Sequence, residues 1–325
     1  MMGIPLSLLD RSRTRQGQSD STALHQTVER ARRAEAAGYQ RFWVSEHHGV
    51  PGVASGTPAL LAQAVAAATN TIRVGSGGVM LPNHRPIVVA EEFSVLTALH
   101  GERFDLGLGR SLGFTKPVRE ALGAMKASPR DFAADIQSVR DYLAGSADIT
   151  IRPASAGDIP LFVLGTGSGL KIAAQLGLPA VVGGPLLRAG PEAFDEYRAE
   201  FHPSTHQAEP YLVVSTEMYV ADSAAEAREF AVPEAWAMAQ SRLTGAFPPL
   251  APTTSLPTEL TERQERYVAQ ALASSIAGTE DRVLSEVSEM LERTGADEIM
   301  STASTFDESA MYASDEKLAR AIASL

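Results

Sequence analysis

The chain of 325 residues contains no cysteine. That absence excludes disulfides, thiolate metal sites and a cysteine nucleophile together, so any redox chemistry has to come from a bound cofactor. Positive charge is scarce too: the net charge is −11, and only four of the 28 basic residues are lysines. The densest basic run, between Arg11 and Arg15, is broken by Ser12 and Thr14. A nucleic-acid-binding surface needs a basic face, so no nucleic acid is expected as a partner. No stretch approaches the roughly 18 apolar residues of a membrane span. The opening MMGIPLSLLD also lacks a basic start followed by a long apolar run, and we expect a cytoplasmic protein with no membrane partner. The zinc motif H-E-x-x-H is missing and five of the seven histidines are isolated, so no metal site is expected.

What is present is an ordinary globular composition, 44% apolar and 21% charged, which excludes global disorder and allows a sizeable core. Short β-branched runs alternate with helical stretches along the whole length. Strands are predicted at residues 4–9, 41–45, 72–76, 103–109, 161–165, 180–183, 212–220 and 298–302. Helices are predicted over residues 22–37, 58–69, 86–99, 130–143 and 279–294, the last with a capping-box-like opening, with others starting near Ser168 and Pro191 and one closing the chain. Eight such units favour an α/β fold of the (β/α)8 TIM-barrel type, a single domain over residues 1–325, above an open doubly wound sheet. One segment breaks the spacing. Residues 245–261 (GAFPPLAPTTSLPTELT) form a Pro/Thr-rich loop insertion near strand seven, read as a lid or as an inert insertion.

Barrel enzymes place their chemistry at the carboxyl ends of the strands. Glu46, His47 and His48 follow directly on the second strand, and a histidine there can take or give a proton near neutral pH. Adjacent strand residues point to opposite sides, so one histidine of the pair is expected to face a given site. Gly75, Gly77 and Gly78 end the third strand. They allow a flat ring to lie on bare backbone, or serve only a tight turn. Gly107, Gly109 and Arg110 end the fourth, where an arginine can hold a phosphate or join a structural ion pair.

The fifth strand ends in LGTGSGLKIAA. Its turn, Gly165, Thr166, Gly167, Ser168 and Gly169, offers backbone amides and a helix start to an anion. As a dinucleotide fingerprint it fails, because G-x-G-x-x-G should open the first βαβ unit with an acid about 20 residues on. Together, Arg110 and this turn can meet on one phosphate while Gly77, Gly78 and the histidines surround the attached group. That constellation describes a mononucleotide-like cofactor at the barrel mouth.

The ordered set SEHH, IRVGSGGVMLPNH, ERFDLGLGR, LGTGSGLKIAAQLGLP and TGADEIM resembles the bacterial luciferase-like flavin-dependent monooxygenases across nearly the whole chain. The resemblance implies a (β/α)8 barrel, usually a homodimer, that takes reduced FMN from a separate flavin reductase. Such enzymes activate molecular oxygen and put one oxygen atom into an organic substrate. It implies that His47 is the active-site histidine with Glu46 and His48 beside it. It further implies that Gly77 and Gly78 lie against the isoalloxazine, often across a non-proline cis peptide, that Arg110 binds the phosphate, and that the turn from Gly165 to Gly169 completes the phosphate site.

The chain departs from the family pattern in three places. Gly101, Glu102, Arg103 stands for Pro-Gly-Arg, and Gly165, Thr166, Gly167 stands for Gly-Ser-Ser. Gly183, Gly184 and Pro185 replace bulky and histidine residues. The first two are tolerable; the third widens the substrate side. The sequence therefore predicts an FMN-dependent monooxygenase acting on a hydrophobic, small-molecule substrate, such as a polycyclic secondary metabolite. The alternatives are a deazaflavin-dependent oxidoreductase on the same barrel and a non-catalytic flavin-binding relative.

Overall fold

The computed structural model describes residues 3–154, 157–204, 206–257 and 259–325. Seven parallel strands run in sequence: β1 (Leu6–Asp10), β2 (Arg41–Val44), β3 (Arg73–Met80), β4 (Phe104–Gly109), β5 (Leu161–Leu164), β6 (Ala180–Gly183) and β7 (Leu212–Thr216). Two short strands, β8 (Met218–Val220) and β9 (Ile276–Gly278), pair with each other outside this sheet, and β10 (Glu298–Ser301) closes the barrel between β7 and β1. The (β/α)8 barrel read from the sequence is therefore the observed fold.

Around it lie α1 (Asp20–Ala37), α2 (Pro58–Ala68), α3 (Pro86–His100), α4 (Lys116–Leu122), α5 (Pro129–Ala144), α6 (Ser168–Leu176) and α7 (Glu192–Ala199). The ring is completed by α8 (Ala224–Thr244), α9 (Glu262–Ser274), α10 (Glu280–Thr294) and α11 (Glu308–Ile322). Proline opens α2, α3 and α5 at the first turn, where a missing N–H costs nothing. Among the described residues no helix is long and apolar enough to cross a membrane.

Strands covered on both faces have to be apolar throughout. One core layer lies between strands and helices, and a second fills the barrel with Leu9, Trp43, Phe162, Val181, Val213 and Met300. Trp43 is fully buried and meets Phe162 edge to face at 4.9 Å. Gly75 makes room for it: a Cβ there would lie 2.6 Å from both Trp43 Nε1 and the Asp105 carbonyl. Gly75 therefore forms neither a ring shelf nor a tight turn: it lies within β3 and serves the core.

At the amino ends of the strands a charged network seals the barrel. Arg41 bridges Asp105 (2.8 Å) and Glu298 (3.0 Å), Arg73 pairs with Asp105 (2.7 Å), and Trp43 Nε1 donates to Asp105 Oδ2 (3.1 Å). The basic run after β1 also turns inward. Arg13 and Arg15 are buried, and Arg13 pairs with Glu234 at 2.9 Å.

Three expectations change. The predicted strand over residues 212–220 breaks after Thr216, because Glu217 turns to Arg11 (3.0 Å) and β8 leaves to pair with β9. The capping box expected at Thr279 is absent. Its third helical position is Arg282, whereas the motif needs Glu or Gln there, and the box forms instead at Thr261 with Gln264. Finally, residues 245–261 are not a free loop along their whole length. Phe247, Leu250 and Ala251 are buried, the Gly52 amide donates to the Phe247 carbonyl (2.8 Å), and the Leu250 amide donates to the Thr14 carbonyl (2.9 Å). Any lid movement is thereby restricted to the part after Ala251; Thr258 within it lies outside the described residues.

Candidate active site

At the carboxyl ends of the strands, β3 carries a bulge: Ser76 pairs with Leu106 and Val79 with Leu108, so Gly77 and Gly78 together oppose Gly107. Bulges beside active sites re-aim the chain. Here the bulge presents bare backbone to the mouth, and the Gly77–Gly78 peptide is cis. A Cβ on Gly78 would lie 2.8 Å from the Gly107 carbonyl oxygen, so the position accepts only glycine without backbone movement.

Glu46, His47 and His48 lie beyond the end of β2, in a segment fixed by the His47 amide donating to the Ser55 carbonyl at 2.8 Å. The Glu46 side chain is fully buried. Its Oε2 accepts from the Met80 amide (2.8 Å), and its Oε1 is shared by His48 Nε2 (2.6 Å) and His84 Nε2 (2.7 Å). Burial alone raises the pKa of this carboxyl, but the hydrogen bonds from His48, His84 and Met80 overcome it and bring it to about 2. The Glu46 hydrogen bond in turn raises the pKa of His84. The ligand atoms of Glu46, His48 and His84 lie within 4.8 Å of one another, and mutual hydrogen bonds satisfy the carboxylate as it stands.

His47 has the opposite environment. Burial and then the charges of Arg11 and Arg13 bring its pKa down to about 4, against a smaller pull from Glu46. The ring is therefore neutral near pH 7, with Nδ1 3.3 Å from the Ser45 hydroxyl. Strand alternation does not separate the two histidines as expected. Both line the same cavity, because they sit in irregular backbone after β2 ends at Val44.

That cavity measures about 330 Å³, and its walls include Glu46, His47, His48, Gly77, Gly78, Arg110 and Gly165. Arg110 Nη2 donates to Ser168 Oγ (3.2 Å) at the first residue of α6, so arginine and turn converge as the spacing predicted. Thr166, Gly167 and Ser168 are exposed, while the Gly169 amide is used within the turn by the Thr166 carbonyl (2.9 Å).

His84 and Phe114 escaped the sequence reading. His84 stood inside the quoted VGSGGVMLPNH run, but its contact with Glu46 crosses 38 positions and no local pattern announces it. Phe114 packs on His47 with ring centroids 5.6 Å apart. A larger cavity, about 530 Å³, opens at the opposite end beside Arg41, Arg73 and Tyr211. It lies at the amino ends of the strands, where barrels keep stability and not chemistry, and its Arg41 and Arg73 are already paired with acids.

Residues 4–298 match the model of the luciferase-like monooxygenases. The chain belongs to that family. A luciferase-like monooxygenase of Escherichia coli (strain K12) is 35% identical over 325 residues, covering 96% of this chain and 95% of that one. The N-acetyl-S-alkylcysteine monooxygenase of Bacillus subtilis (strain 168) is 35% identical over 219 residues, 61% of this chain and 66% of that one. The crystal structure of apo-MsnO8 superposes with a TM-score of 0.86 at 30% identity, over 98% of each chain. Within this family member, Arg103 of the altered Gly101, Glu102, Arg103 lead-in holds the carbonyls of Ala66 (2.6 Å) and Thr69 (2.9 Å) at the end of α2, a structural task.

Proposed function

We propose that this chain is an FMN-dependent monooxygenase that takes reduced FMN from a separate reductase and oxygenates a hydrophobic organic substrate. The observation that carries the reading is one cavity joining an anion seat, Arg110 with Ser168, to a glycine backbone shelf and a neutral histidine. The residues fit the cofactor: the seat matches a terminal phosphate, and Gly77 and Gly78 line the cavity with bare backbone on which a flat ring can lie. Reduced FMN supplies the electrons that activate molecular oxygen.

The protein's own groups do the rest. Arg110, Ser168 and the turn through Gly165, Thr166, Gly167 and Gly169 hold the tail. Gly77 and Gly78 set the height of the ring. Glu46, ionised and buried, anchors Met80 at the end of β3 and orients His48 and His84. His47 accepts or returns a proton beside the reacting atoms, because burial keeps it neutral. Residues 252–257 and 259–261 close over the mouth and exclude water.

The whole chain acts as one barrel domain in the cytoplasm. It works as a homodimer, its second copy covering the exposed apolar face of α2 and α3, where Leu60 is 71% and Leu99 66% exposed, with Val88 and Val95 beside them.

Replacing Arg110 with alanine removes the charged donor from the anion seat. A hydrogen bond to a charged group contributes about 1.5–3 kcal/mol, so reduced FMN should bind roughly 10- to 100-fold more weakly. Riboflavin, which has no phosphate, should be unaffected. Anaerobic titrations of the variant with both ligands check this. Parallel losses for both would show that Arg110 acts on the ring or the fold, and would remove the phosphate assignment.

A further inference from the structure

Resting on the proposed function, a second feature of the mouth points to the class of substrate. Phe114 stands on the loop after β4, lines the mouth cavity and is 45% exposed, although it is a large apolar ring. Its neighbours form a column of planar groups. Phe114 meets His47 at 5.6 Å with an interplanar angle of 35°, and Phe247 at 5.9 Å and 31°. The Arg13 guanidinium lies 4.2 Å from the Phe247 ring centroid, and Arg13 is itself held by Glu234 at 2.9 Å. Phe247 is 5% exposed and belongs to the pinned part of the segment after α8.

Three properties follow. The column is supported from behind, so Phe114 has a preferred position before any ligand arrives, which lowers the ordering cost of binding. Its exposed remainder borders the cavity, and pockets for small ligands are lined mainly by apolar and aromatic side chains. Its partners keep the centroid spacings that aromatic rings favour, and the column ends on the histidine assigned to proton transfer. An aliphatic chain would gain only apolar contact here, whereas a flat conjugated ring adds edge or offset ring contacts with Phe114 and His47.

We infer that Phe114 is a specificity-determining residue, and that the substrate is a planar aromatic compound whose ring packs against the exposed surface of Phe114 next to His47. The same face would otherwise serve the flavin or act as plain apolar surface, and the experiment distinguishes these.

The probes are 2-naphthol, followed by its fluorescence, and decanal, followed by calorimetry, each titrated anaerobically into the protein with and without reduced FMN. Phe114→Leu keeps the apolar bulk and removes the ring. It should weaken 2-naphthol roughly 3- to 10-fold, leave decanal within twofold and leave FMN within twofold. Phe114→Trp should restore 2-naphthol. Equal changes for both probes, or no change for 2-naphthol, overturn the inference. So does a loss of FMN affinity matching that of 2-naphthol, which assigns the ring to the cofactor. If the parent protein does not bind FMN, the proposed function fails separately, and the titrations without FMN still decide whether Phe114 selects an aromatic ring.

Discussion

His47→Ala is expected to lower product formation by about 100- to 10,000-fold, the usual contribution of a positioned acid or base, while reduced FMN still binds within a few-fold. The reason is placement. His47 follows β2, whereas Arg110 and Ser168, the proposed seat of the cofactor's tail, follow β4 and β5 and meet each other there. With His47 gone, activated oxygen should leave as hydrogen peroxide instead of entering the substrate. Oxygen uptake, peroxide and substrate consumed, measured in parallel, separate these routes. The pH profile adds a second readout: because burial, Arg11 and Arg13 hold the ring near a pKa of about 4, His47 stays neutral down to that pH. An acid limb set by His47 should therefore appear near pH 4, below the usual imidazole range around 6.5. His48→Ala should cost less, since Glu46 retains His84 and the Met80 amide. Normal turnover by His47→Ala would show that the wrong histidine has been assigned.

The second large effect is on stability. Arg30 is buried between Asp10 (2.9 Å) and Asp315 (2.8 Å), so it fastens β1 and α11 to α1. Removing it leaves two buried carboxyls facing each other. Asp315 is already pushed up by burial, against the pull of Arg30. Arg30→Ala should cost about 3–5 kcal/mol, as breaking a buried ion pair from one side does. A urea or guanidinium midpoint shift at constant slope measures it; a loss under 1 kcal/mol would mean that water or neighbouring groups replace the guanidinium.

The barrel was legible because its strands are short apolar runs with glycine or charge at their ends, and β6 was read to the residue. The convergence of the candidate site was legible for the same reason: strand ends converge in any closed barrel, so Gly77, Gly78, Arg110 and the turn from Gly165 to Gly169 had to be near one another. Long-range partners were hidden. Phe114 and Phe247 are 133 positions apart (247 − 114) and meet only because the chain after α8 returns to the mouth. Likewise Glu234 sits inside a helix interrupted by Pro233, and nothing in that local pattern points to Arg13. The helix α9 was overlooked because its sequence, ERQERYVAQALAS, opens on a charged turn, follows the Pro/Thr-rich stretch and buries little besides Ala271. Gly75 was left open between a ring contact and a tight turn, and its packing task was hidden because the need for space around Trp43 arises from the neighbouring strand and not from its own.

The central claim is that a flavin mononucleotide stands at the mouth with its phosphate on Arg110 and the β5 turn. Anaerobic titration of the parent protein with reduced FMN, reduced riboflavin and a reduced deazaflavin tests it most directly. The account predicts that FMN binds at least tenfold more tightly than riboflavin, from one charge-assisted contact and several turn donors, and more tightly than the deazaflavin. Equal affinity for FMN and riboflavin would contradict the phosphate seat, and a preference for the deazaflavin would replace the monooxygenase with a deazaflavin-dependent oxidoreductase on the same barrel.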